Sequence, residues 1–238
     1  MPILEIEGVT AGYDKEIDVL RDISLYVKEK ESVSLIGANG AGKSTLLKII
    51  SGLLHPKKGK IIYKGERIDH LEPHKVVERG IIQIPEERET FDTLTVAEHF
   101  TVACQTKRSK EKKVGNLNLV LETFPVLDDR KDQMASTLSG GERKMLAVGM
   151  SIMAEPKMLL LDDISVGLAP KVVGVLYSHL KELRNLLEMP ILLVEQNVEI
   201  ALDFTERGYV ISGGEIVLMG QSDELVKAEE VKDSYLGA

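Results

Sequence analysis

The sequence of 238 residues contains no tryptophan, one cysteine and only 4% aromatic residues. The single Cys104 excludes an internal disulfide and a cysteine-rich zinc site, and the five histidines show no metal-ligand spacing. Without interleaved aromatic side chains, the chain also lacks the stacking platforms that bind single-stranded nucleic acid. Its hydrophobic core must therefore be built from aliphatic side chains.

Long hydrophobic runs and an excess of positive charge are also missing. The longest purely apolar stretches, such as residues 158–161 and 191–194, fall far short of the ~18 residues that a membrane helix needs. The first seven residues include acids where a secretory signal peptide has basic and then apolar residues. The formal net charge of −8 disfavours nucleic-acid binding through bulk charge. We therefore expect a cytoplasmic protein without a nucleic-acid partner.

Short apolar segments alternate with amphipathic ones along most of the chain. The patterns predict strands near residues 3–9, 23–27, 32–36, 61–63, 80–84, 158–161 and 191–194. They predict helices at residues 43–50, after Ser139, after Pro170 and at 198–203, and a hairpin turn at Gly213-Gly214. Such alternation is typical of a mainly parallel sheet that is covered by helices on both faces.

The middle of the chain has a helical character instead. Thr95 and Glu98 have capping-box spacing, which predicts a helix to about Cys104, and a second helix is predicted over residues 114–124. The basic segment between them, residues 107–113, is predicted to be a solvated linker. We expect a single domain of residues 1–238, in which a helical subdomain of about 87–136 interrupts a core of about 1–86 and 137–238.

A phosphate-binding motif follows the apolar segment at residues 32–36. Residues 37–44 fit the pattern G-x-x-x-x-G-K-[ST], and we call them the phosphate loop. Glycines let the backbone turn so that its N–H groups face phosphate oxygens, and the helix that follows favours an anion at its N-terminus. Lys43 would bridge the β- and γ-phosphates of a nucleotide, and the Ser44 hydroxyl would bind Mg²⁺. The candidate nucleotide-binding residues are Gly37, Ala38, Asn39, Gly40, Ala41, Gly42, Lys43, Ser44 and Thr45.

A carboxylate ends the apolar run at residues 158–161. A buried parallel strand would carry Asp162 to the carboxyl edge of the sheet, where open α/β sheets bind their ligands. Many strands end in aspartate, so Asp162 indicates a metal site only in combination with the phosphate loop. Together the two motifs predict that Asp162 holds Mg²⁺ directly or through water.

The segment Leu138-Ser139-Gly140-Gly141-Glu142 separates this chain from other nucleotide hydrolases. Ser139 and Glu142 form a capping box, so a helix begins here, and its glycines leave N–H groups bare. With this segment, the sequence resembles the ATP-binding cassette (ABC) family over essentially its whole length. The resemblance implies a P-loop NTPase core of the α/β class with a mainly parallel sheet, an antiparallel β subdomain and a small helical subdomain.

The resemblance also implies how ATP would be bound. In that family the Leu-Ser-Gly-Gly segment meets the γ-phosphate held by the phosphate loop of another subunit. A head-to-tail dimer with a second ATPase subunit, identical or different, is therefore expected. Tyr13 matches the family's aromatic residue that stacks on adenine. The further candidate nucleotide-binding residues are Tyr13, Ser139, Gly140, Gly141 and Glu142.

Four positions depart from the family pattern. Asp163 replaces the usual glutamate that positions the attacking water, and Ile164 replaces a proline. Gln196 replaces the switch histidine, and it can donate a hydrogen bond but cannot take up a proton near neutral pH. Glu86 replaces a glutamine and could bind Mg²⁺. The resulting candidate catalytic residues are Lys43, Glu86, Asp163 and Gln196, and the candidate metal ligands are Ser44, Glu86 and Asp162.

Within the ABC family, the chain resembles the ATPase subunits of branched-chain amino-acid importers. The likeness rests on residues 84–88 (Ile-Pro-Glu-Glu-Arg), 166–170 (Val-Gly-Leu-Ala-Pro) and 193–197 (Leu-Val-Glu-Gln-Asn). It implies an ATPase that drives integral membrane permease subunits from the inner face of the cell membrane. Two alternatives stay open: a soluble ABC ATPase outside transport, and a regulatory module that binds ATP without hydrolysing it.

Overall fold

The computed structural model describes residues 1–14, 16–87 and 89–228. Arg88, which belongs to one of the importer-like segments, lies outside these ranges, as do the last ten residues of the predicted core. None of the described helices combines the length and the apolar character that a membrane crossing requires.

Strands and helices alternate along the described chain. The strands are β1 (Pro2–Ala11), β2 (Leu20–Lys28), β3 (Ser32–Ile36), β4 (Lys58–Tyr63), β5 (Glu66–Arg67), β6 (Ile81–Ile84), β7 (Met158–Asp162), β8 (Ile191–Glu195), β9 (Arg207–Ser212) and β10 (Glu215–Gln221). The helices are α1 (Lys43–Ile50), α2 (Pro73–Arg79), α3 (Val96–Ala103), α4 (Lys107–Thr123), α5 (Pro125–Asp129), α6 (Gly140–Met153), α7 (Pro170–Leu187), α8 (Val198–Phe204) and α9 (Ser222–Leu225).

Two sheets organise these strands. The larger has the order β10-β9-β3-β8-β7-β6, and all neighbours in it are parallel except the β9–β10 hairpin. The smaller has the order β2-β1-β4-β5 and is antiparallel. The predicted mainly parallel sheet and the predicted antiparallel part are therefore both confirmed.

The larger sheet separates two hydrophobic clusters. In β7, Leu159 and Leu161 face a cluster that includes side chains of α3, α6 and α7, whereas Met158 and Leu160 face the cluster around α1 and the smaller sheet. Because both faces are covered, β3, β7 and β8 are buried along their whole length. This burial fixes the register of the central strands, which end together at one edge of the sheet.

The basic segment at residues 107–113 is not a linker, so that prediction is wrong. It forms the first two turns of α4, which the Thr106 hydroxyl caps by accepting the N–H of Ser109 at 3.1 Å. The Arg108 guanidinium donates to the carbonyl oxygens of Glu78 and Glu155 at 2.9 Å each. The Glu78 carbonyl belongs to the last turn of α2, and the Glu155 carbonyl follows the end of α6. Residues that are distant in sequence therefore hold α4 in place.

Candidate functional site

The phosphate loop connects β3 to α1 at the carboxyl edge of the larger sheet. The Ala41 N–H donates to the Ala38 carbonyl at 3.1 Å, which closes a tight turn before the helix. α1 then begins at Lys43, and the N–H groups of its first turn have no partner within the helix. Unpaired amides and the helix dipole together make this loop an anion-binding site.

Two glycines of the loop are required by their surroundings. Gly42 caps α1 with a φ of 108°, a conformation that residues with a side chain rarely adopt, and a Cβ there would lie 2.5 Å from Leu20 Cδ2. A Cβ on Gly37 would lie 2.5 Å from the carbonyl oxygen of Ile211. The close approach of β2 and β9 therefore shapes the loop as much as its own sequence does.

Lys43 is almost completely buried at the start of α1. Its Nζ donates to the carbonyl oxygens of Gly37 at 2.8 Å and Ala38 at 3.3 Å, and it lies 3.6 Å from Asp163 Oδ2. The ammonium group is thus placed inside the curve of the phosphate loop. A positive charge at this point can attract the terminal phosphates of a nucleotide.

Ser44 and Asp162 meet where α1 and β7 come together. The Ser44 hydroxyl donates to Asp162 Oδ1 at 3.0 Å. Burial is the largest cause that raises the pKa of Asp162, to about 6; the negative charges of Asp163 and Glu86 act in the same direction, and the Ser44 hydrogen bond and Lys43 oppose them. Negative charge is therefore in excess at this point, and a cation would relieve it.

Three predicted metal ligands, Ser44, Glu86 and Asp162, line one cavity of about 600 Å³. Within the described ranges no three His, Cys, Asp or Glu side chains gather into a metal-binding cluster. Mg²⁺ does not need such a cluster, because it is commonly held by one or two carboxylates together with phosphate oxygens. The oxygen donors and the surplus charge at this edge fit that cation.

Asp163 follows β7 in an unusual backbone conformation, with a φ of 43°. Aspartate tolerates this left-handed region better than most residues. Its Oδ1 accepts the N–H of Gln196 at 2.8 Å, while its Oδ2 faces Lys43. The structure thus joins three of the predicted catalytic residues, Lys43, Asp163 and Gln196, in one chain of contacts, and the Gln196 side chain is exposed beside them.

Tyr13 lies against the outer side of α1. Its ring is 62% exposed, and its hydroxyl lies 3.3 Å from Thr45 Oγ1 and accepts a hydrogen bond from Lys48 Nζ at 3.1 Å. Burial by itself would raise the pKa of the Tyr13 hydroxyl, but these hydrogen bonds hold that pKa below its usual value. The ring stands beside the phosphate loop with area free for a planar ligand.

Residues 139–142 open α6 in a second glycine-containing helix start. The Ser139 Oγ accepts the Glu142 N–H at 3.4 Å, and Glu142 Oε2 accepts the Ser139 N–H at 2.8 Å, as the capping box predicts. Burial raises the pKa of Glu142, but the Ser139 hydrogen bonds and the Arg130 charge hold it below its usual value. Among the described residues, none of residues 139–142 forms a hydrogen bond or an ion pair with residues 37–45. Within the described chain, no polar contact therefore joins the two predicted nucleotide-binding segments.

Sequence reasoning missed several residues that the fold brings to this region. Lys48 reaches Tyr13, and Lys144, which is buried on α6, donates to the Glu86 carbonyl at 2.8 Å. Glu195 ends β8 beside Asp163 and is completely buried. An acid that ends an apolar run was the signal that marked Asp162, and the same signal was present at Glu195.

Comparison with known proteins identifies the relatives of this chain. Residues 20–166 match the ABC transporter family. The chain is 40% identical to the high-affinity branched-chain amino acid transport ATP-binding protein BraG of Pseudomonas aeruginosa, over 99% of this chain and 100% of BraG. It is 34% identical to the lipopolysaccharide export system ATP-binding protein LptB of Haemophilus influenzae, over 100% and 98% of the two chains.

A solved structure shares the fold over the full length of both chains. It is an ATP-binding cassette of an ABC transporter in its ADP conformation, with a TM-score of 0.86 and 26% sequence identity. The predicted P-loop NTPase fold is thereby confirmed.

Proposed function

This chain belongs to the ABC transporter family and is an ATPase subunit of that family, and from this premise we propose that it powers the import of branched-chain or other hydrophobic amino acids. The ATPase part of the proposal is carried by the assembly at one sheet edge of Lys43, Ser44, Asp162 and Asp163, and the amino-acid part is supported by the 40% identity to BraG. In this proposal the chain binds ATP with Mg²⁺ and couples its hydrolysis to movement of a membrane partner.

The described contacts support a separate role for each group of residues around the triphosphate. The amides of the phosphate loop and the first turn of α1 would hold the phosphate oxygens. Lys43 would turn from its loop carbonyls toward the β- and γ-phosphates, which compete for the same ammonium group. Asp163 would position the attacking water, and the Gln196 N–H holds one oxygen of that carboxylate in place.

Ser44 and Asp162 would hold the metal ion, with Glu86 at the rim of the same cavity. Mg²⁺, when bound there, would neutralise negative charge on the β- and γ-phosphates. The raised pKa of Asp162 supports this role, because the carboxylate has more to gain from a cation than an exposed aspartate has.

Residues 139–142 would act on the nucleotide of a second ATPase subunit. Their capped helix start presents N–H groups, and among the described residues no hydrogen bond or ion pair joins them to the phosphate loop. A head-to-tail arrangement with an identical or a related subunit would bring each such helix start to the partner's loop. We keep the division into a nucleotide-binding core and a helical subdomain at about residues 87–136 as part of this proposal.

The cavity that contains Ser44 and Asp162 continues into an apolar groove, which we propose as the binding site of the permease subunit. Its apolar lining comes from α2, β6 and α6: Val76, Val77, Ile82, Ile84, Ala147 and Met150. A permease segment seated here would sit beside the metal ligands, so that movement at the nucleotide could reach it. The chain would then work at the inner face of the cell membrane through this contact.

The groove can be tested with a matched pair of variants. Val77 lies in the groove and Val217 lies on β10 outside it, and both are exposed. We expect Val77→Glu to abolish co-purification of membrane subunits from native membranes without changing the ATPase activity of the isolated chain. Val217→Glu should leave both unchanged, and equal co-purification of the two variants would contradict the groove proposal.

The cargo and the direction of transport need a separate measurement, because BraG is named for amino-acid transport and LptB for lipopolysaccharide export. The complex recovered from native membranes should be placed in vesicles and tested for ATP-dependent movement of leucine, isoleucine and valine. Uptake of these amino acids supports the proposal, and its absence alongside active ATP hydrolysis excludes branched-chain amino acids as the cargo. A wild-type chain that binds ATP but does not hydrolyse it would instead favour the regulatory module.

A further inference from the structure

Glu195, the last residue of β8, has a completely buried carboxylate. Its Oε1 accepts the Tyr177 hydroxyl at 2.5 Å and the Ser165 N–H at 3.2 Å, and its Oε2 accepts the Ser165 hydroxyl at 2.9 Å. Within the described part of the chain no Lys, Arg or His forms an ion pair with it. Burying a carboxylate without a cation costs stability, so this side chain needs a reason other than stability to be there.

Two of the three hydrogen bonds of Glu195 come from Ser165 in the loop at residues 163–169, and the third comes from Tyr177 on α7. Ser165 belongs to this loop, and the loop starts at Asp163, whose N–H donates to the Val194 carbonyl at 2.9 Å. The next residue on β8, Gln196, donates its N–H to the carboxylate of Asp163. The end of β8 is therefore joined to the loop at both Asp163 and Ser165.

The far end of the same loop reaches the first turn of α6. A Cβ added to Gly140 would lie 3.5 Å from Leu168 Cδ2, and one added to Gly141 would lie 2.6 Å from Val172 Cγ1. The loop and the start of α7 thus lie directly against residues 139–142. A displacement of Ser165 would be felt at Asp163 on one side and at α6 on the other.

We propose that Glu195 is a positioning residue for ATP hydrolysis: its hydrogen bonds join Ser165 of the loop and Tyr177 of α7 to the end of β8, and thereby fix the carboxylate of Asp163 and the first turn of α6. Glu195 does not reach the nucleotide itself, because it is buried behind this loop. The inference rests on the proposed ATPase function, and it adds a residue that has no assigned role there.

The hydrogen bonding predicts which substitutions matter. In Glu195→Gln, the amide oxygen can keep the Tyr177 and Ser165 donors, and the amide NH₂ can donate to the Ser165 hydroxyl. We expect kcat of this variant to stay within about threefold of wild type, because the glutamine keeps the hydrogen-bond geometry although it loses the negative charge. Glu195→Ala loses all three bonds, and we expect kcat to fall by about 10- to 100-fold, as an Asp163 displaced by ~1 Å would require.

The two kinetic constants separate positioning from general damage. The phosphate loop has no hydrogen bond to Glu195, so KM for ATP should change by no more than about twofold in either variant. Hydrogen exchange of residues 163–169 should accelerate in Glu195→Ala, because the Ser165 N–H loses its acceptor, whereas residues 37–44 should keep their wild-type exchange. If Glu195→Ala does not fold, Tyr177→Phe removes one of the three bonds with little change of volume, and a several-fold loss of kcat is expected.

A control exists at the opposite edge of the sheet. Glu206 also holds a serine at the start of β3, accepting the Ser32 N–H at 2.7 Å and the Ser32 hydroxyl at 2.6 Å, but unlike Glu195 it is exposed and pairs with Arg184 at 2.8 Å. Glu206→Ala should therefore lower thermal stability and leave kcat unchanged.

The outcomes distinguish this inference from the proposed function. If wild type hydrolyses ATP and Glu195→Ala keeps its kcat, the positioning role is wrong and the ATPase function stands. Equal losses of kcat in Glu195→Gln and Glu195→Ala, or in Glu206→Ala and Glu195→Ala, also overturn it. If wild type hydrolyses no ATP, the proposed function fails first and the positioning role falls with it.

Discussion

The two glycine-containing helix starts of this chain differ in how much of a site each one completes. The phosphate loop contacts side chains from other strands, with Lys43 facing Asp163 and Ser44 bonded to Asp162. The start of α6 makes its cap from its own residues, Ser139 and Glu142. The phosphate loop thus forms an anion-binding site with residues of its own chain, whereas the start of α6 forms only a capped helix N-terminus.

The difference explains why one chain offers only half of each proposed ATP site. Both helix starts expose N–H groups and a positive dipole end. In the phosphate loop, the buried Lys43 points at the loop's own carbonyls and lies close to Asp163, whereas the buried Lys144 of α6 points away to Glu86 and Glu89. Changes in the phosphate loop should therefore act on binding and on chemistry, and changes at α6 on chemistry alone.

The largest effect is expected at Lys43. Lys43→Ala removes the ammonium group inside the phosphate loop, and we expect kcat for ATP to fall by about 10²- to 10³-fold with weaker ATP binding. Steady-state hydrolysis and equilibrium dialysis measure the two effects. Lys60→Ala, which breaks only the exposed ion pair with Glu7, should leave both near wild type. Unchanged ATP binding in Lys43→Ala would mean that the loop does not hold the triphosphate.

A change in the opposite direction is expected at Asp163. Its carboxylate is held close to the backbone by the Gln196 N–H and Lys43, and glutamate would extend it by one methylene toward the water. We expect Asp163→Glu to raise single-turnover hydrolysis by up to about 10²-fold, the scale of a ~1 Å improvement. Asp163→Asn, which keeps the shape without the charge, should lower it. An unchanged or slower rate in Asp163→Glu would show that the geometric argument is wrong.

A smaller loss is expected at Ser139, and the chain offers a matched control. Thr95 and Glu98 form the same capping box at α3, far from residues 139–142 in sequence. Removing either cap should cost about 1 kcal/mol of stability. Only Ser139→Ala should also lower hydrolysis, by about tenfold, without changing ATP binding by the single chain. Equal hydrolysis by Ser139→Ala and Thr95→Ala would remove the proposed role of this helix start.

The smallest effect is a pH-dependent stability difference at Asp162. Its pKa of about 6 lies above the ordinary value of 3.8, so the ionised form is disfavoured in the folded state. The cost is absent below about pH 4, develops as the pH rises to about 6, and is complete above it. Asp162→Asn should therefore melt a few °C higher than wild type at pH 7 and equally at pH 4, in the absence of nucleotide.

The same variant gives a second measurement. Mg-ATP should raise the melting temperature of wild type at pH 7 more than that of Asp162→Asn, because only the aspartate can bind the metal as an anion. A lower melting temperature of Asp162→Asn at pH 7 without nucleotide would contradict the sign of this prediction.

Local signals predicted much of the fold. The glycines and the apolar run around residues 37–50 predicted α1 at its observed bounds, and Ser139 predicted the start of α6. These features depend on contacts within one or two turns, which a sequence pattern records. The prediction for residues 107–113 was wrong because their charge pattern outweighed a local helix cap at Thr106, and because the contacts of Arg108 with the carbonyls of Glu78 and Glu155 depend on the tertiary fold.

The sequence by itself determined that this chain carries a phosphate loop, an acid at the end of a buried strand and a capped glycine helix start. Each of these is a run of residues whose backbone conformation and charge act locally. Only the tertiary structure decided which groups share one site. It placed Asp163 between Lys43 and the Gln196 N–H and buried Glu195 against Ser165 and Tyr177. Such pairings depend on strand order and register, which bring β7 beside β8 and β8 beside β3 although these strands are far apart in sequence.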